Sequence, residues 1–341
     1  MSAKVTLFKF KITRINKRSI WSLLILFLAV QFSCKNDLEI NAPYKETFVI
    51  FGLLDINADT QFIKINKAFL TDEQSVKEVA LVPDSVYFND LKAELIEESS
   101  GKKIALLPIN VSGKKAGTFI TNPNIVYYTA EKLNKSSTYK IIAENLKTGK
   151  SAQSSTTLVG NAGIFGPAAF FDNEFSFGAL NSVGLGINFV TGANANAYDV
   201  LMEFEYEEFY KFDTAIKTTK IITWKMLDAA SVNPNSRFLT NLSSELFFDL
   251  LTNRIEVRKD WVRSAKKFSF TYVGAGKELV NYISVSKPSI GIVQKQSDYT
   301  NIQNGYGVFS SRNFITVGPL PPSAGTISTL STNGKTATLG F

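Results

Sequence analysis

A single cysteine constrains this chain more than any other residue. Cys34 is the only one in 341 residues, so no intrachain disulfide can form and the fold must rest on burial alone. Its position adds a second constraint. An apolar run from Ile20 to Val30 ends just before it, and Lys4, Lys9, Lys11, Arg14, Lys17 and Arg18 precede that run without an acidic residue. Basic stretch, apolar stretch and a small residue before the cut, Ser33, follow one another in the order of a secretory leader. Residues 1–33 are therefore expected to be a signal peptide; the placement of Cys34 after Gln31, Phe32 and Ser33 resembles a bacterial lipobox, which implies a lipoprotein leader with Cys34 lipidated, although Gln31 and Phe32 depart from the usual pattern. A retained membrane helix and a buried helix are the rival readings. The run is short of the ~20 residues a bilayer span needs, and a core helix would carry polar positions at helical spacing.

The leader also changes the charge argument. The chain carries 37 Lys+Arg against 30 Asp+Glu, but six of the basic residues and none of the acidic ones precede Cys34, which leaves 31 against 30. A near-neutral remainder removes the main support for a nucleic-acid binder, and no nucleic-acid partner is expected. Hydrophobic content of 45%, with 27 Phe and 12 Tyr, is enough for real cores. Histidine is absent. That excludes Ser-His-Asp and Cys-His catalysis, zinc on imidazole ligands, and haem on a histidine. Carboxylate chemistry, Ser-Lys nucleophiles and oxygen-ligated metals survive.

Residues 34–46 are polar and read as a lipidated tether. From Thr47 the pattern becomes β. Phe48, Ile50 and Leu53 face Phe62, Ile63 and Ile65 across the turn-rich stretch Asp55–Asp59, which predicts a hairpin. Further strands are expected over Val86–Glu97, Ile104–Ile109, Gly117–Ile120, Ile125–Ala130, Thr138–Glu144 and Ser151–Leu158. Short strands broken by Gly, Asn and Ser turns predict an Ig-like antiparallel β-sandwich over 47–160. Gly160–Asn161–Ala162–Gly163 with Pro167 reads as a domain boundary. A second β-rich domain over 161–315 is expected to hold strands at Ile187–Val190, Ala197–Tyr210, Lys220–Lys225, Ile255–Val262 and Lys267–Val273. Two short helices sit within it, one carried by Leu242, Leu246, Phe247 and Leu250, the other by Leu279, Tyr282 and Ile283 ahead of Pro288. Residues 316–341 read as a Gly/Ser/Thr-rich tail. The fold class is thus mainly β, with two domains in series.

Three stretches carry a family resemblance. The hairpin Phe48–Phe69, the segment Ser137–Ile142, and above all Asn301–Phe309 after a Tyr-containing helix resemble the Bacteroidota lipoproteins of the domain of unknown function 4249 family. The likeness runs over most of the chain from Cys34 to Phe309, with a shorter helix region and an added tail after Asn313. It implies a cell-envelope lipoprotein beside a TonB-dependent outer-membrane transporter, and it brings no enzymatic residues. Lys35, Asn36, Asp37, Leu38 and Glu39 also resemble the acidic export signals of some such lipoproteins, though a solvated linker explains them equally well.

Candidate chemistry is sparse. Glu203, Glu205 and Glu207 alternate with Met202, Phe204 and Tyr206, so on a strand the acids share one face, with Glu208 following. Neighbours on one strand look the same way, whereas a glycosidase needs two carboxyls opposed across a cleft; a solvated sheet face is the expectation. Asp55, Asn57 and Asp59 match the first ligand positions of a calcium loop, but Thr60 stands where its glycine belongs and Asn66 where its glutamate belongs. A hairpin turn explains them better. Gly184–Leu185–Gly186 lacks the third glycine of a dinucleotide loop. Thr336–Leu339 before Phe341 has the form of a last barrel strand, yet a barrel needs many strands of ~10 alternating residues, so a frayed tail is expected.

No catalytic residue, cofactor or metal is therefore assigned. Asn304–Gly305 predicts a tight turn of the primed type, with both residues at positive φ, Tyr306 and Phe309 returning along a strand, and Gly307 between them allowing close approach of a backbone or partner. Tyr306 and Phe309 are the candidate partner contacts. The function expected is that of a non-enzymatic lipoprotein on the outer membrane, held through its lipid anchor and binding a TonB-dependent transporter, a small ligand, or both. A carboxylate hydrolase acting on glycan and a structural or adhesive envelope protein are the alternatives.

Overall fold

Alternation of buried and exposed side chains runs through most of the strands in the computed structural model, which describes residues 46–69, 75–166, 173–177, 185–286 and 299–341. The leader, Cys34, the tether to Lys45, Pro167 and Pro288 lie outside the described residues. In chain order the strands are β1 (Phe48–Leu54), β2 (Gln61–Lys67), β3 (Leu91–Glu97), β4 (Lys103–Asn110), β5 (Ile125–Thr129), β6 (Thr138–Asn145) and β7 (Ser151–Thr157). The remainder are β8 (Gly163–Ile164), β9 (Leu185–Val190), β10 (Ala197–Tyr210), β11 (Asp213–Ser231), β12 (Arg237–Leu242), β13 (Trp261–Ala275) and β14 (Gly305–Leu320). Among the described residues five short α-helices accompany them: α1 (Val76–Val79), α2 (Pro83–Val86), α3 (Glu245–Arg254), α4 (Lys277–Ser286) and α5 (Ala324–Thr332). The fold is mainly β.

Eleven strands form one mixed sheet in the order β11-β10-β13-β14-β1-β2-β5-β4-β3-β6-β7, and β12-β9-β8 form a second. The half from β14 to β7 curls back on itself, because Gln153 of β7 bridges Gln303, two residues before β14. Inside that curl lies one core, including Phe48, Ile50, Ile63, Leu95, Ile141 and Phe309. A corner of this sandwich is fixed by Tyr139, whose hydroxyl accepts the backbone N–H of Asn134 at 2.7 Å, a device found in Ig-like sandwiches.

A second core fills the space between β10, β13, the small sheet and α3. It is rich in phenylalanine: Phe268 lies 4.5 Å from Phe175 and 4.8 Å from Phe204 between ring centroids. The chain passes from the first core to the second between Leu158 and Val159. Strand β14 serves both cores, and this departs from domains arranged in series. Its first part, Gly305–Ser311, runs parallel to β1, and its second, from Arg312 to Leu320, runs antiparallel to β13. The sandwich is therefore completed by a strand that begins more than 140 residues beyond its expected limit at 160. Alternation within a segment reveals a strand; it carries no information about its partner. The described residues form one compact unit.

The expected tail is a correction of the same kind. Residues 316–320 finish β14, Ser323 caps α5 by accepting the Thr326 N–H at 3.2 Å, and Leu330 and Leu339 are buried in the second core. Phe341 is not frayed: its ring packs 5.7 Å from Phe204 and 5.5 Å from Tyr206. The reason is a buried ion pair. Glu208, whose parity along β10 turns it toward the core, meets Arg263 of β13 at 2.7 Å. The same guanidinium donates to the carbonyls of Leu339 and Glu256, while the Arg263 backbone N–H donates to Gly340 at 2.6 Å. A Ser/Thr-rich composition reads as tail because it hides these anchors.

Smaller differences follow from local packing. Gly117–Ile120 forms no strand, β3 starts at Leu91 because Val86 ends α2, and β13 starts only at Trp261. Both expected helices form as α3 and α4, although Leu242 belongs to β12.

Candidate functional site

The most specific sequence motif turns out to be a clasp. Asn301 Nδ2 donates to the Phe309 carbonyl at 2.7 Å, and its Oδ1 accepts the Phe309 N–H at 3.0 Å. The side chain thereby imitates a neighbouring strand. Gln303 and Gln153 exchange backbone hydrogen bonds at 2.8 and 3.3 Å, and Ser154 Oγ donates to the Asn301 carbonyl at 2.8 Å. These bonds close β7 onto the start of β14.

Gly305 acts differently from the expectation, while Gly307 meets it. Asn304 is left-handed at φ 60°, but Gly305 is not at positive φ, so no primed turn forms. A Cβ on Gly305 would lie 2.7 Å from the Phe48 carbonyl oxygen; on Gly307, which is at φ +111°, it would lie 2.0 Å from that of Ile50. Close approach of β1 is what these positions require. Tyr306, 56% exposed, faces outward, whereas Phe309 is fully buried in the sandwich core. Phe309 is therefore removed from the candidate partner contacts: parity along β14 turns it inward while Tyr306 points out.

Exposed aromatic and aliphatic side chains do gather on the outer face of the sandwich. Phe62 on β2 pairs with Tyr128 on β5, which pairs with Leu107 on β4, so the three stand in one row across three strands. Phe62 and Leu107 are more than half exposed, and the Phe62 and Tyr128 rings lie 6.3 Å apart. Two residues along, Val126 pairs with Ile109, which is also exposed. Beside this face Lys64 acts as a strut: its ammonium donates to the Ile125 carbonyl at 2.6 Å and to Asn124 Oδ1 at 2.9 Å, and sits 4.8 Å from the Tyr87 ring centroid. Burial, aided by the nearby Lys114 charge, pushes the Lys64 ammonium down to about 8. The strut fixes one border of the apolar patch and leaves the patch itself open.

A sequence signal for this face existed. Ile104–Ala105–Leu106–Leu107–Pro108–Ile109 has no polar residue at either parity, so a strand with one solvent face had to expose apolar groups.

Of the acidic series Glu208 is the buried partner of Arg263, and the others lie on the solvent face of β10. Glu205 pairs with Lys267 at 3.1 Å, and Glu207 with Lys266 at 3.0 Å and Lys217 at 3.7 Å. Hydrogen bonding to Lys266, with the Lys217 and Lys266 charges, holds the Glu207 carboxyl below its usual range. Those side chains point together toward water rather than across a cleft. The Asp55 turn is also occupied structurally: Asp55 Oδ1 accepts the Asn57 N–H at 2.9 Å, and Asn57 Nδ2 reaches the Phe314 carbonyl at 3.0 Å. Among the described residues no cluster of acidic side chains is arranged to hold a metal ion, and no helix is long and apolar enough to cross a membrane.

No protein-family model matches the chain, and no curated protein matches it.

Proposed function

We propose that this protein is a non-enzymatic lipoprotein, anchored through Cys34 to the outer membrane, that docks onto a TonB-dependent transporter with the outer face of its sandwich. The observation that carries the reading is the open row Phe62–Tyr128–Leu107 with Ile109 beside it. Contiguous apolar surface on a folded protein marks an interaction site more often than isolated exposed residues do, and aromatic anchors dominate such contacts. The basic and apolar leader before Cys34 and the resemblance to the domain of unknown function 4249 family support the location and the neighbour.

Membrane attachment and partner are separable by experiment. Cys34→Ser is expected to abolish incorporation of radiolabelled palmitate and to release the protein from membranes; unchanged retention would favour an uncleaved helix. Affinity capture of the tagged lipoprotein from detergent-solubilised outer membranes should recover a barrel transporter. Recovery of the lipoprotein alone would contradict the docking role.

A further inference from the structure

A polar cleft of about 450 Å³ opens along the edge of β7, within the size range of small-molecule sites. It is lined by β6 and β7, by α4, and by the segment from Tyr299 to Gln303. Its character is cationic and amide-rich. Lys140 and Lys277 have no carboxylate partner among the described residues, in contrast to Lys225, Lys266 and Lys267, each of which is ion-paired. Glu278, the only acid among the described lining residues, accepts a hydrogen bond from Ser310 at 3.4 Å.

The uncharged groups are equally suggestive. Gln153 Nε2 donates to Gln303 Oε1 at 2.6 Å, which leaves Gln153 Oε1 as an acceptor and Gln303 Nε2 as a donor. Asn281 adds a further amide, and Tyr299 a ring. The backbone of Gln153 turns away from β6 toward Gln303. Alternate residues of an antiparallel strand turn the same way, so the peptide groups of Ser155 open on the same edge.

We propose that this cleft binds a sugar acid. An amide offers a donor and an acceptor side by side, the pattern that vicinal hydroxyls complement. The two lysines supply point charges for a carboxylate, and the Tyr299 ring offers an apolar surface for the C–H face of a pyranose. A neutral polyol would leave both ammonium groups without a counter-charge. The cleft shares no residue with the Phe62–Leu107 face, so the proposal stands apart from the docking role.

The test is calorimetric titration of the lipoprotein with digalacturonate and with its neutral counterpart, galactobiose, at low ionic strength. One saturable site for digalacturonate is expected, with galactobiose at least about tenfold weaker and Lys140→Met/Lys277→Met weakening digalacturonate by a similar factor, about 1.4 kcal/mol. Thermal melting of the double variant should match the parent, since neither side chain has a carboxylate or hydrogen-bond partner among the described residues. Absence of saturable binding, equal binding of the neutral sugar, or undiminished binding by a folded double variant would each overturn the proposal.

Discussion

Gly307→Val is expected to leave no cooperatively folded protein. Strand β14 reaches φ +111° at this residue, and an added Cβ would stand 2.0 Å from the carbonyl oxygen of Ile50, its register partner on β1. Neither atom can retreat, because both belong to backbone in the centre of the eleven-stranded sheet. Forcing β1 away would open the sandwich at the strand that also enters the second core. The penalty exceeds the ~4 kcal/mol that marks exceptional single substitutions. Gly149→Ala is the control: its φ is +67°, yet nothing lies within 4 Å of the added atom. There the loss should be the conformational term alone, about 1–2 kcal/mol. Circular dichroism and denaturant titration distinguish the two; a Gly307→Val protein that melts near the parent would refute the close β1–β14 packing.

Arg263→Leu is expected to destabilise the protein by about 3–5 kcal/mol, the cost of leaving a buried charge without its partner. Glu208 and Arg263 are both almost wholly buried, and the guanidinium also holds the carbonyls of Leu339 and Glu256. Losing it removes the side-chain bond to the Leu339 carbonyl as well as orphaning the carboxylate, while the backbone bond from Arg263 to Gly340 stays. Adding Glu208→Leu should recover a large part of the loss, because the uncompensated charge is removed. Urea titration of the parent, the single variant and the double variant measures this. An Arg263→Leu chain as stable as the parent would show that the C-terminal segment is held by its apolar contacts alone.

These two positions also mark where the sequence was silent. Strand β10 was legible from Ala197 to Tyr210 because its inward residues, Tyr198, Val200, Met202, Phe204 and Tyr206, are apolar throughout and the outward ones include Glu203, Glu205 and Glu207. The same parity rule turns Glu208 inward, but its partner lies 55 residues away on a strand whose start was placed too early. Gly307 could be read as a point of close approach, while β1, some 250 residues earlier, could not be read as the neighbour. Helix α5 was hidden by weak propensity: Ala324–Thr332 is held by the Ser323 cap and by Thr326, whose hydroxyl donates to the Phe175 carbonyl at 3.0 Å. Periodicity describes how a segment meets its own core. Long-range pairing and polar anchoring depend on residues the segment does not contain. The exposed apolar face falls between the two, since the apolar outer residues of β4 were visible in the sequence and their pairing with Phe62 and Tyr128 was not.

Capture of the transporter by a Phe62→Glu/Leu107→Glu variant tests the central claim most directly. Both side chains are more than half exposed, so the variant should melt close to the parent. Each large apolar group buried at a contact contributes roughly 1.5–3 kcal/mol, and losing two should weaken capture by at least about a hundredfold. The expected result is a folded, membrane-attached double variant that no longer recovers the barrel transporter from solubilised outer membranes. A double variant that still recovers it as well as the parent does would contradict docking through this face.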